Sequence, residues 1–267
     1  MKSAFVNTNI LKWSYPRPIN SNSDKTLAVF GDSFGASGND SIFDQWWPTK
    51  LAKKLDVKTY TNYCRGATSF YFTYNNFLKH HAENDINVVL ITNPNRYTKS
   101  TRLPSVSTRS DSNITNLATL HEIRRSNTSV LNVEDSKTLD YLEGWFMAAD
   151  DQYMYDMHIL MVKHIMDIDP KVILIPCFHN SMTDAMYKQL GLDKTKNLYE
   201  VLCMQSRSFG SKKNINIISD YIERPEAICC HFTPKFNDQV VDVVAERFNT
   251  GQCIWNFREY FKHEHTL

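Results

Sequence analysis

The sequence predicts a three-layer α/β/α sandwich around a five-stranded parallel sheet. Three observations lead there. Short apolar runs recur along the chain, at Leu27–Phe30, Ile86–Ile91 and Lys171–Cys177 among others. They alternate with longer segments whose apolar residues return at helical spacing. The runs at 27–30 and 86–91 stop abruptly, at Gly31 and at Thr92-Asn93-Pro94, as buried parallel strands do where they reach a loop. Strand and helix in alternation make a parallel sheet covered on both faces.

In chain order, Leu27-Ala28-Val29-Phe30 reads as the first strand. Asp44 to Leu55 follows as an amphipathic helix that tolerates Pro48 near its start. Val57 to Tyr63 mixes β-branched and aromatic residues and reads as the second strand. Thr68 to His81 has helical spacing, and Ile86 to Ile91 is the third strand. From Tyr97 to about Thr138 the chain turns polar and loses periodicity, an insertion with short helical pieces around Asn116 to Arg125.

Leu139 to Asp167 is a long helix or helix pair. Tyr153, Met157, Leu160, Met161, His164 and Ile165 recur at helical spacing there and are expected in the core. Lys171 to Cys177 is the fourth strand and Asn214 to Ser219 the fifth, with short helices at Ser181 to Leu190 and Leu198 to Arg207 between them. Phe236 to Phe248 closes the domain as a helix with Val240, Val241, Val244 and Phe248 on one face. The 267 residues read as a single domain, with the insertion at about 97–138 and an aromatic, charged tail at about 249–267.

Composition excludes several classes of function. A formal net charge of +1, with no lysine- and arginine-rich block, gives no reason to expect nucleic acid or an anionic membrane as partner. The six cysteines show no C-x-x-C spacing and are expected as reduced, mostly buried residues. The first residues lack the apolar stretch of a secretory signal. The chain is therefore expected in the cytoplasm where it is made, unless it leaves within a particle or on lysis.

In open α/β sheets ligands bind beyond the carboxyl ends of the strands. After the first strand comes Gly31-Asp32-Ser33-Phe34-Gly35, a glycine-flanked turn carrying a serine hydroxyl. Asn62-Tyr63-Cys64-Arg65-Gly66-Ala67 follows the second, where Gly66 allows close backbone approach. Thr92-Asn93-Pro94-Asn95-Arg96 follows the third and offers a side-chain amide. Cys230-His231-Phe232-Thr233-Pro234 places a histidine on the loop before the last helix. Taken singly, each is an ordinary loop feature.

Taken in order, the four segments resemble the Ser, Gly, Asn and His blocks of the SGNH (GDSL-like) hydrolase superfamily, and Thr92-Asn93-Pro94-Asn95-Arg96 with the short final block is similar to members carried by bacteriophages. Trp47-Pro48, leading into the first helix, is also similar to a segment of that group. The resemblance implies a flavodoxin-like fold and a serine esterase. Ser33 would be the nucleophile and His231 the general base, with an oxyanion hole from the amides of Ser33 and Gly66 and the side chain of Asn93. It implies no metal or organic cofactor. The substrate class it suggests is a small acylated molecule, with an O-acetylated carbohydrate (a deacetylase) preferred. Trp46, Trp47, Phe70, Tyr71 and Phe72 are candidates either for a sugar platform or for core.

Two departures from the pattern qualify the implication. The third block lacks its glycine and aspartate, which leaves Asn95 as a rival donor to Asn93. The acid expected three residues before the histidine is replaced by Ile228. Glu226, Glu223 or Asp220 would have to serve, or a backbone carbonyl. Three other readings stay open: an SGNH-fold binding or structural protein without turnover, an acyltransferase using the same serine, and a phosphate-binding protein using Gly31–Gly38 as an anion loop. The last lacks both the P-loop ending and the dinucleotide glycine spacing.

Overall fold

The computed structural model of the protein describes residues 16–32, 34–36, 46–65, 68–94, 96–97, 106–107, 151–192, 198 and 234–250. The elements follow in the order β1 (Arg17–Pro18), β2 (Thr26–Gly31), α1 (Trp47–Lys54), β3 (Thr59–Cys64), α2 (Phe70–His80), β4 (Ile86–Ile91), β5 (Arg96–Tyr97), β6 (Val106–Ser107), α3 (Asp151–Ile168), β7 (Ile173–Pro176), α4 (Asp184–Gln189) and α5 (Pro234–Thr250). Five strands form one sheet in the order β1-β3-β2-β4-β7. β2 pairs in parallel with β3 (Phe30 opposite Tyr63) and with β4 (Phe30 opposite Val89), and β4 pairs in parallel with β7.

β3 and β4 lie on opposite sides of β2, so right-handed crossovers through α1 and α2 place these helices on opposite faces. α1 packs against α5, and α2 against α3. The expected three-layer α/β/α sandwich is thus present, with one correction to the sheet. It is mostly rather than wholly parallel, because its β1 edge runs antiparallel to β3. A two-residue strand containing proline has no sequence signal, and proline is tolerated there because an edge strand need not donate on both sides. The fifth strand expected at Asn214–Ser219 lies outside the described residues.

The strands are buried because both faces are covered. Every residue of β4 is buried, as is all of β2 after Thr26. One connected core runs from Leu27, Val29 and Phe30 through Val88 to Ile91 and Ile173 to Ile175, and on to Leu51, Val162, Val240 and Val244 of the helices. α2 starts on Ser69, whose side chain accepts from the Phe72 N–H, and α4 starts likewise on Thr183 and Met186. No helix among the described residues is long and apolar enough to cross a membrane.

Several burial expectations need correction. On α3 the buried stripe is His158, Val162 and Ile165, whereas Tyr153, Met157 and Leu160 are 60%, 40% and 57% exposed. Apolar residues occupy two neighbouring stripes of this helix, and only one of them meets α2 and the sheet. Phe248 is also exposed, one turn beyond the buried Val240, Val241 and Val244. Trp46, Trp47 and Phe70 are core, Phe72 is half-buried, and Tyr71 alone of the candidate platform is largely exposed. Within the polar insertion, Arg96–Tyr97 and Val106–Ser107 pair as a short antiparallel ribbon, where only helical pieces were expected. The proposed piece at Asn116–Arg125 and the tail beyond residue 250 lie outside the described residues. Cys64 and Cys177 are buried free thiols, and the other four cysteines also lie outside them.

Candidate active site

Three strand ends converge at the carboxyl edge of the sheet, and the residues flanking the expected site groups are joined there. Asp32 is fully buried between Gly31 and Ser33. Its Oδ1 accepts from the Phe34 N–H at 3.0 Å, an Asx turn that bends the chain around position 33. Its Oδ2 accepts from the Thr92 hydroxyl at 2.5 Å. One buried carboxylate therefore links the neighbour of Ser33 to the neighbour of Asn93. Charge-assisted bonds of this kind are about twice as strong as neutral ones.

The turn over Phe34 to Ala36 is held by further backbone bonds. The Gly35 and Ala36 N–H groups donate to the Asp32 carbonyl at 3.2 and 3.1 Å. The Phe34 carbonyl accepts from the Trp47 indole N–H at 2.7 Å. The Gly35 carbonyl accepts from the Asn62 side-chain amide at 2.9 Å, while Asn62 Oδ1 takes the Cys64 N–H. Both glycines are dictated by crowding. A Cβ on Gly31 would lie 2.6 Å from Leu90 Cβ, and one on Gly35 would lie 2.8 Å from Leu90 Cδ1 and closer still to Cys64 Sγ. Burial, with the nearby Asp32 charge second, pushes the Cys64 thiol well above its ordinary range and keeps it neutral.

The second strand end is tied to the first, since the Arg65 N–H donates to the Gly31 carbonyl at 3.0 Å. The Thr68 hydroxyl donates to the Arg65 carbonyl at 2.8 Å, so the residues on either side of positions 66 and 67 are tied to each other. Arg65 is half-buried, and loss of solvent lowers its pKa. On the far side, Ser181 Oγ donates to the Ile91 carbonyl at 2.6 Å, and Cys177 N–H donates to the same carbonyl at 3.0 Å. The Ser181 carbonyl in turn accepts from His158 Nε2 at 2.8 Å, which places the proton of this buried ring on Nε2. Burial pushes His158 down to about 4, opposed by that backbone contact.

Of the expected site residues, Asn93 is present at the β4 end, half-buried. Ser33, Gly66, His231 and the rival donor Asn95 lie outside the described residues, as do Glu226, Glu223 and Asp220. The supports that sequence reasoning missed are Asp32, Thr92, Asn62, Trp47 and Asn237. Asp32, Asn62, Thr92 and Trp47 stand inside the quoted segments, and only their bonds give them these supporting roles. Among the described residues no group of three His, Cys, Asp or Glu is arranged to hold a metal ion.

No family model matches the chain, and no curated protein matches it. A solved structure that is similar to it is the crystal structure of the lipase/acylhydrolase from Enterococcus faecalis. The two share 13% identity at a TM-score of 0.35, over 84% of this chain and 96% of that one. At that distance the likeness carries no weight in assigning a function.

Proposed function

We propose that the protein is a serine esterase of the SGNH kind, with Ser33 as nucleophile and His231 as general base. The observation that carries this reading is the Asp32 bridge. A buried carboxylate grips the Phe34 N–H and the Thr92 hydroxyl, and so couples the positions beside Ser33 and Asn93 at the carboxyl edge of the sheet. A serine that follows Asp32 in the chain and an asparagine that follows Thr92 are residue types suited to acyl transfer.

In the proposed reaction the Ser33 hydroxyl attacks an ester carbonyl as its proton passes to His231. The oxyanion is held by the amides of Ser33 and Gly66 and by the Asn93 side chain, each donor contributing roughly 3 to 4 kcal/mol. The C–O bond to the alcohol breaks as His231 returns the proton to the leaving oxygen. Water then attacks the acyl-enzyme, giving up a proton to His231, and His231 passes that proton to the Ser33 oxygen as the acyl C–O bond breaks, releasing the carboxylic acid and restoring the Ser33 hydroxyl. Ile228 stands where an aspartate would orient the histidine, so the chemistry rests on a serine–histidine pair. The substrate we favour is an O-acetyl group on a carbohydrate.

The same Ile228 favours a second reading, an SGNH-fold binding protein without turnover. Hydrolysis of p-nitrophenyl acetate, with covalent tagging by a fluorophosphonate, decides between them. An esterase is tagged at Ser33, and Ser33→Ala lowers its rate by roughly a thousandfold or more with the fold intact. Undiminished activity in Ser33→Ala would overturn the assignment. Product analysis with an added alcohol acceptor separates a hydrolase from an acyltransferase.

A further inference from the structure

We propose that Trp47 is a positioning residue that joins the turn carrying the nucleophile to the helix that follows the histidine loop. The proposal rests on the esterase reading for its catalytic consequence, but its geometry stands independently. Trp47 is fully buried and makes two hydrogen bonds to different parts of the chain. Its indole N–H donates 2.7 Å to the carbonyl of Phe34, the residue after Ser33. Its backbone N–H donates 3.1 Å to Oδ1 of Asn237, which is 1% exposed and lies in the first turn of α5.

The second bond is an unusual way to begin a helix. Trp47 is the first residue of α1, and the preceding Trp46 makes no side-chain cap. The first N–H groups of a helix lack intrahelical partners, and here a side chain 190 residues away satisfies one of them. A phenylalanine or leucine at 47 would fill the core, yet neither has a donor for the Phe34 carbonyl. An alanine at 237 would leave a buried N–H without its acceptor. The outer face of the same helix pair is tied by Lys50 with Asp238 and Lys54 with Asp242, at 2.6 and 2.5 Å. These exposed ion pairs hold the helices together without touching the serine turn, so they serve as internal controls.

The chain continues from α5 back to His231 through 232 and 233. With two residues between His231 and α5 in the sequence, a shift in the first turn of α5 is expected to reach the general base. Displacement of a reacting group by about 1 Å costs on the order of a hundredfold in rate.

Three full-length variants test the link: Asn237→Ala, Lys54→Ala, and Trp47 replaced by β-(3-benzothienyl)alanine, which keeps the ring shape and puts sulfur where the N–H was. Each is assayed well below its melting temperature. For p-nitrophenyl acetate, Asn237→Ala and the Trp47 isostere should lower kcat by about tenfold to a hundredfold with KM within twofold, and slow fluorophosphonate tagging in parallel. Lys54→Ala should leave both unchanged. Amide hydrogen exchange supplies a readout free of catalysis. Exchange at Gly35 and Ala36 should rise in Asn237→Ala and in the isostere, and not in Lys54→Ala. If the wild-type protein neither hydrolyses nor is tagged, the esterase reading fails and the exchange result alone decides the link. Folded Asn237→Ala and isostere proteins with normal kcat and unchanged exchange at 35 and 36 would overturn it.

Discussion

The two helical layers that cover the sheet are held down by different chemistry. α1 and α5 are joined by an amide cap from Asn237 and by two lysine–aspartate pairs, and neither helix contains a histidine. On the opposite face the α2 and α3 layer is built on histidines set against aromatic rings. His80 stacks on Tyr63 with centroids 4.6 Å apart, His81 on Phe77 at 4.8 Å, and His158 tilts on Phe70 at 4.6 Å. His164 Nδ1 meets the Tyr74 hydroxyl at 2.6 Å. The layer that carries Trp47 and Asn237 is thus held by amide and lysine–aspartate contacts, and the histidine–aromatic contacts sit across the sheet from it.

The contrast can be broken most forcefully in the aromatic layer. Phe77 is fully buried and meets Phe30 edge-on at a centroid distance of 5.5 Å. Phe77→Ala should cost about 3 to 5 kcal/mol, read from urea unfolding. The next largest effect is a pH dependence. His158 sits near 4 in the folded protein, below its ordinary 6.5, because burial disfavours the imidazolium. As pH falls below about 6.5 the unfolded chain takes up a proton that the folded chain refuses until about 4. Stability is therefore full above that window and declines through it by about 3 kcal/mol. His158→Gln should flatten this part of the pH–stability curve. An equal slope in variant and wild type would remove His158 as its source.

Between the layers, Thr92→Val keeps the side-chain shape and removes the donor to Asp32 Oδ2. Loss of that buried bond should cost roughly 1 to 3 kcal/mol, measured by urea unfolding at constant pH. The smallest change belongs to the exposed rim of the other layer. Lys54→Ala, with its partner Asp242 similarly exposed, should shift stability by less than about 1 kcal/mol, and less again in high salt.

How far the sequence was legible differs from element to element for physical reasons. The bounds of Ile86–Ile91 are legible because a strand buried on both faces is a nearly continuous apolar run, interrupted here only by Asn87, and Thr92-Asn93-Pro94 ends it. β1 was missed because two edge residues carry no pattern. The outward stripe of α3 was taken for core because periodicity shows that residues share a face, not which face meets the sheet. The buried stripe there includes His158, whose ring is accommodated by the Ser181 carbonyl and the Phe70 face. Gly31 and Gly35 stand out as flanks of a serine turn, but their cause, crowding by Leu90 at both and by Cys64 at Gly35, comes from neighbouring strands.

By itself the sequence determined the alternation of strand and helix, the strand ends at Gly31 and Ile91, and the polar residues that follow them. Those properties are local, set by apolar runs, turn residues and proline, and they need no partner to be read. Tertiary structure alone decided which of those polar residues support one another: Asp32 with Thr92, Asn62 with Gly35, and Trp47 with both Phe34 and Asn237. Each pair joins residues from separate strands, loops or helices. Pairing order in the sheet and docking of the helices, set by burial of the whole core, bring them within hydrogen-bonding distance.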